Sequence, residues 1–278
     1  MLIFSILFAG SIQAQYYVFE QLASAKYYGR FIANDDLGNL LIADQSKIIK
    51  LNADGQLITD YISELPGRIT SIDTKDPRRI LVFYKDYASV VFLNQELLNA
   101  GSVSTFAYVA DPTAISLDGI NLGYSSLACL HDSEEAYWIY DGNTSDLVLI
   151  DSDNQIDFKG DALDQFTDLE PDPNFMVMEG KRLFINNPSS GVYIFDENGS
   201  FVNKLPLLGL KKIQVFKNIL FYTSNTFLVA YDMDNDKETY HPLPVFNISD
   251  WSLNLSSFPG RISFLTPDGV QIFTMEKE

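Results

Sequence analysis

From residue 28 to residue 278, apolar and polar positions alternate in short runs, and tight polar turns separate the runs. Period-two alternation bounded by Gly, Asn and Asp is the signature of β-strands joined by hairpins. Two stretches show the unit most clearly. In one, Leu40-Leu41-Ile42-Ala43 leads through a turn to Ile48-Ile49-Lys50-Leu51 and then Asn52-Ala53-Asp54-Gly55. In the other, Leu183-Phe184-Ile185 leads to Val192-Tyr193-Ile194-Phe195 and then Asp196-Glu197-Asn198-Gly199. Aligned on the first residue of the second turn, the unit recurs at Asn52, Asn94, Asp151, Asp196, Asp232 and Thr274, with spacings of 42, 57, 45, 36 and 42 residues. A mean of about 44 residues is the length of one four-stranded propeller blade. The pattern predicts an all-β fold, a six-bladed β-propeller of four-stranded antiparallel blades.

The strands follow from the same pattern. Blade 1 falls at 31–34, 40–43, 47–51 and 56–62, and blade 2 at 69–72, 80–84, 89–93 and 97–103. Blade 3 takes 126–130, 136–140, 146–150 and 155–158, and blade 4 takes 175–178, 182–186, 192–195 and 200–204. Blade 5 takes 212–216, 219–223, 227–231 and 238–240, and blade 6 has only 255–257, 261–265 and 270–274. A three-stranded blade leaves an open edge of unpaired backbone groups. The apolar segment Tyr16-Tyr17-Val18-Phe19 is expected to close the ring as the outer strand of blade 6. Strand direction then sorts the loops: hairpins between third and fourth strands lie on one face, and the crossovers between blades lie on the other. The long connections, 107–124, 159–174 and 241–252, are all crossovers. Long loops in a compact domain tend to carry function.

The first residues differ from the rest. An apolar run at residues 2–10 ends in Ser11-Ile12-Gln13-Ala14, too short to span a bilayer and patterned like a secretory signal, although it lacks Lys or Arg ahead of the run. The expected organisation is a signal peptide at 1–14 and one propeller domain at 15–278. Export to the periplasm or cell envelope of a Gram-negative bacterium, or secretion, follows. No Cys follows the run, so a lipid anchor is not supported, and nothing predicts an integral membrane protein. The single cysteine, Cys129, sits among apolar residues and reads as a small buried hydrophobe. A net charge of −18 repels phosphate and excludes nucleic acid as a natural partner. A cationic protein or a metal ion stays open.

Residues 38–57 resemble the repeat of NHL-type six-bladed propellers: Gly38-Asn39 before a strand ending in Ala43-Asp44, then a second strand running into Asp54-Gly55. Residues 179–202 echo it with Gly180, Asn186 and Asn198-Gly199. The resemblance implies the fold and no particular activity. Some similar propellers are calcium-dependent lactonases or esterases with acidic and amide ligands at the channel mouth. Under that reading Asp35, Asp73 and Glu179, with His131 nearby, stand at the ends of inner strands and would supply oxygen ligands to Ca²⁺. Solvated or structural acids account for the same positions.

No nucleophile arrangement or phosphate cradle is visible. His241, in His241-Pro242-Leu243-Pro244, reads as a surface residue in a stiff turn. Asp151 and Asp232 open runs like calcium loops, but Ile156 and Lys237 stand where Gly is required, so both runs read as hairpin turns. The remaining candidates lie on the crossovers: the acids Asp164, Asp168 and Asp172, and the aromatics Tyr108, Tyr124, Phe246 and Trp251. Aromatic anchors beside an acidic rim suit a protein or glycan interface, and inter-blade packing uses the same residue types. The expectation is a monomeric, exported, non-catalytic binding or scaffold propeller without a cofactor, contacted through the crossover face. The alternative is a Ca²⁺-dependent propeller hydrolase.

Overall fold

A computed structural model describes residues 17–65, 67–98, 104–105, 125–132, 136–257 and 259–277. The described chain forms six four-stranded antiparallel sheets. Strand β1 is Tyr17–Ala25. Blade 1 comprises β2 (Phe31–Asn34), β3 (Leu40–Asp44), β4 (Lys47–Leu51) and β5 (Leu57–Ile62). Blade 2 comprises β6 (Ser71–Asp73), β7 (Ile80–Tyr84), β8 (Ser89–Leu93) and β9 (Ser104–Thr105). Blade 3 comprises β10 (Ser125–Leu130), β11 (Tyr137–Asp141), β12 (Leu147–Ile150) and β13 (Ile156–Lys159). Blade 4 comprises β14 (Phe175–Glu179), β15 (Arg182–Asn187), β16 (Gly191–Asp196) and β17 (Phe201–Leu205). Blade 5 comprises β18 (Gln214–Phe216), β19 (Ile219–Ser224), β20 (Phe227–Asp232) and β21 (Lys237–Pro242). Blade 6 comprises β22 (Asp250–Asn254), β23 (Gly260–Thr266) and β24 (Gly269–Lys277), with β1 as its outer strand in the order β1-β24-β23-β22. The ring closes as expected, with Tyr17 opposite Lys277 and Ala25 opposite Val270.

The repeat has a physical cause at its turns. The side-chain oxygen of Asn52 accepts the backbone N–H groups of Asp54 and Gln56, at 3.0 and 2.8 Å. Asn94, Asp151 and Asp196 hold the N–H groups two and four residues on in the same way. Asp232 holds those of Asp234 and Asn235. Each of the first four turns then needs one left-handed residue, supplied by Gly55, Leu97, Asn154 and Gly199. The runs at Asp151 and Asp232 are therefore capped hairpins.

The core consists of wedges between blades. Leu81, Phe83 and Phe92 of blade 2 pack against Leu130, Tyr137 and Ile139 of blade 3. Trp138 and Tyr140 of blade 3 pack with Leu183, Tyr193 and Phe195 of blade 4, and Cys129 is buried in this layer. Comparable layers join blades 1 and 2, 4 and 5, 5 and 6, and 6 and 1. Strand β1 serves two of them: Tyr17 and Phe19 pack on the blade 5–6 layer, and Ala23 and Ala25 on the blade 6–1 layer.

Three sequence expectations change. The inner strand of blade 6 is Asp250–Asn254, upstream of 255–257, because Asn254 Oδ1 accepts the Ser256 N–H at 3.0 Å and turns the chain out of the strand there. The last crossover therefore shrinks to residues 243–249. The outer strand of blade 2 does not begin at Leu97, whose φ of 61° belongs to the Asn94 turn. His241 is no surface residue: it lies in β21 at 1% exposure, under Tyr17, with ring centroids 4.7 Å apart. No helix among the described residues is long and apolar enough to cross a membrane.

Candidate functional site

Inner strands of a propeller have their free edges on the axial channel, so their backbone groups need partners from the next blade. Side chains provide them. Asp250 accepts the Ile32 N–H at 2.7 Å, and Ser252 accepts that of Asn34 at 2.8 Å. Gln214 accepts the Leu253 N–H at 2.6 Å, and Asp73 that of Leu130 at 2.9 Å. Two lysines reach further. Lys75 extends from blade 2 to the Met178 carbonyl of blade 4 and pairs with Asp132. Lys212 extends from blade 5 to the Ile32 carbonyl of blade 1 and to both carboxylate oxygens of Asp250, each at 3.0 Å.

Two cavities lie along this channel and meet at Asn34, Asp73, Thr74, Val177 and Gln214. The one toward the hairpin face, about 130 Å³, is lined by Asp36, Asp73, Lys75 and Glu179 among others. The one toward the crossover face, about 330 Å³, takes its lining from the first residues of the inner strands and the segments before them.

The proposed calcium ligands do not gather. Asp35 is fully buried and does not line either cavity, because Lys50 Nζ holds its carboxylate at 3.1 Å and Asn39 donates to it through backbone and side chain. Asp73 spends both oxygens on the backbone N–H groups of Lys75 and Leu130. Burial raises its pKa, against the lowering effect of those bonds. Glu179 accepts the Lys217 N–H at 3.1 Å. Among the described residues, no three His, Cys, Asp or Glu side chains are grouped as a metal ion would require. His131 lies in the loop after β10, its ring 6.2 Å from that of Trp138.

On the crossover face the three acids share one segment. The 160–174 crossover is fixed by Leu163, which is buried and donates its N–H to the Ser145 carbonyl in the β11–β12 turn. Phe166 stacks on Phe201 with centroids 4.1 Å apart. Asp164, Asp168 and Asp172 are exposed between and beyond these anchors. Burial raises the pKa of the Tyr140 phenol against the lowering effect of Ser145, and the charges of Asp164, Asp141 and Asp172 add to the rise.

The aromatic candidates divide. Phe246 is 71% exposed on the 243–249 crossover. Trp251 is 3% exposed, in β22, packed in the blade 5–6 layer with Phe264 and Phe273, so it is no surface anchor. Its alternation with Leu253 points both side chains into the wedge. Tyr108 and Tyr124, with the 107–124 crossover, lie outside the described residues, as does the 1–14 segment. Sequence reading missed Leu169 and Leu208, 54% and 61% exposed on the crossovers before and after blade 4. Leu169 left a signal, a lone apolar residue between Asp168 and Glu170, whereas Leu208 sits in the apolar run Leu207-Leu208-Gly209-Leu210 and left none.

No protein-family model matches the chain. Comparison with curated proteins finds no match either. Solved structures do match. The Pan2 WD40 domain of Neurospora crassa superposes with a TM-score of 0.58 at 10% identity, over 91% of this chain and 84% of that one. A streptogramin B lyase gives 0.56 at 12%, over 95% and 89%. BBS1N, solved in complex with ARL6DN, gives 0.56 at 12%, over 93% and 95%. At such identities the likeness shows the propeller fold.

Proposed function

We propose that this chain is an exported, non-catalytic binding propeller that holds a cationic protein partner on its crossover face. The observation that carries the reading is the 160–174 crossover. Its acids Asp164, Asp168 and Asp172 flank the exposed Leu169, while Leu163 and Phe166 hold the segment against blades 3 and 4. A pre-ordered loop loses little entropy on binding. The next two crossovers on the same face expose Leu208 and Phe246. Leu169, an apolar anchor flanked by acids, fits a partner that surrounds an apolar contact with basic residues; the crossover of Leu208 carries Lys211 and Lys212 instead and adds apolar contact only. The BBS1N complex with ARL6DN offers an example of a similar fold holding another protein. Export rests on the apolar run at residues 2–10.

The test is capture of partner by the purified chain, compared between two variants. Asp164→Asn/Asp168→Asn/Asp172→Asn together, and Phe246→Ala separately, should each weaken capture about tenfold without unfolding the protein. The captured protein should be basic, and its binding should weaken with added salt. EDTA should leave capture intact, whereas a Ca²⁺-dependent hydrolase would lose its activity. Capture that survives both sets of substitutions but vanishes after changes to the Asn52–Gly55 and Asn198–Gly199 hairpins places the interface on the other face.

A further inference from the structure

The crossover-face cavity is chemically unlike the molecule around it. Acids outnumber bases 37 to 19 over the whole chain. Yet the described lining of this cavity carries Arg30, Lys211 and Lys212 against only Asp73 and Asp250. Lys212 and Asp250 neutralise one another through their two 3.0 Å contacts. Asp73 lies at the deep end, where the two cavities meet, with both oxygens already engaged by backbone N–H groups. Arg30 and Lys211 are left. Both are exposed, and among the described residues neither guanidinium nor ammonium has an ion-pair or hydrogen-bond partner.

Two distant segments of the chain must meet to build this pair. Arg30 enters just before β2, and Lys211 stands just before β18 on the crossover from blade 4. Below them the wall is apolar, formed by Leu127, Phe175 and Val177. Cations above a low-dielectric cleft concentrate field lines in it and retain an anion that the −18 background repels at long range. Arginine adds a planar fork that matches carboxylate or phosphate oxygens. A volume of about 330 Å³ is at the lower end for small-molecule pockets.

We propose that this mouth is a binding site for a small organic anion: one carboxylate or phosphate held by Arg30 and Lys211, with a compact body seated on Leu127, Phe175 and Val177. The site is distinct from the acidic 160–174 crossover, although Lys211 shares the 206–213 crossover with Leu208, so the anion titration is made on the chain alone, without a protein partner.

Calorimetric titration with benzoate and with glucose 6-phosphate tests it, with benzyl alcohol and glucose as neutral counterparts. Wild-type protein should bind at least one of the anions at millimolar concentration and neither neutral compound. Preference between the two anions tells carboxylate from phosphate. Arg30→Gln/Lys211→Gln should weaken that binding about tenfold or more, the loss expected for removing charge-assisted hydrogen bonds. Lys181→Gln/Lys237→Gln, exposed on the hairpin side, should leave it unchanged. Absence of binding by either anion to the wild type, equal binding of the neutral compounds, or equal losses in the two double variants would overturn the assignment. Both double variants should show wild-type melting, since all four side chains are exposed.

Discussion

Asn52, Asn94, Asp151 and Asp196 perform one local task in four blades: a side-chain oxygen that closes the turn over its own backbone. Such a task leaves a mark in sequence because donor and acceptor are four residues apart. His241 is the contrary case. Its neighbours Pro242 and Pro244 suggest an exposed turn, but its environment comes from the other end of the chain, where Tyr17 donates its backbone N–H to Nδ1 at 3.0 Å. That bond requires an unprotonated Nδ1, and burial, helped by the charge of Lys277, lowers the pKa to about 4. An unfolded chain with a histidine near its ordinary 6.5 takes up a proton between pH 6.5 and 4 that the folded chain refuses. The stability from this group is therefore complete above about pH 6.5 and is lost as pH falls toward 4, at about 1.4 kcal/mol per pH unit. His241→Gln keeps an acceptor and does not titrate. Denaturant unfolding at pH 7 and pH 4.5 should show a drop smaller by about 2–3 kcal/mol in the variant than in the wild type. Parallel pH profiles would remove His241 from the account.

Among the elements, Trp251 shows what separates strand from loop. It sits in β22 and fills the blade 5–6 layer beside Phe221, Leu228, Phe264 and Phe273. Trp251→Ala should cost about 3–5 kcal/mol of unfolding free energy, the usual price of an emptied aromatic site. Partner capture per folded molecule should stay unchanged. A loss below about 1 kcal/mol would return Trp251 to the surface. The run Trp251, Leu253, Leu255 alternates throughout, so its period does not say where the strand stops. The other blades are legible because their strands end at Asn, Asp or Gly turns; β22 also ends at an Asn, with Asn254 Oδ1 accepting the Ser256 N–H, but Leu255 beyond it continues the alternation and hides the stop. The candidate site was legible in the same proportion. Exposed acids on one crossover are visible as local composition. Arg30, Lys211 and Lys212 are not, because only ring closure brings blade 1, blade 5 and blade 6 around one channel mouth.

At the scale of the whole molecule, each of the six inter-blade layers depends on the two sheets that flank it, so no blade has a core of its own. Closure is noncovalent: the lone Cys129 is a buried free thiol. The ring is held shut by β1, a nine-residue strand of which eight residues pair along β24, with one register shift between Gln21 and Ala23. Its loss would leave β24 as an unpaired edge, strip Tyr17 and Phe19 from one layer and Ala23 and Ala25 from the next, and remove the Tyr17 bond to His241. Two wedges on either side of blade 6 would weaken together. Because every wedge is shared by neighbours, the damage should spread around the ring rather than melt blade 6 alone. A chain beginning at Lys26 should accordingly unfold in one cooperative transition at a clearly lower temperature, with the same midpoint by tryptophan fluorescence and by far-ultraviolet circular dichroism. Trp251 in blade 6 and Trp138 in blade 3 report on opposite sides of the ring, so single-tryptophan variants can follow each separately. An unchanged melting temperature would mean that β1 does not hold the ring closed. Two separate transitions, with Trp251 released before Trp138, would show that blade 6 can open while the other five blades persist.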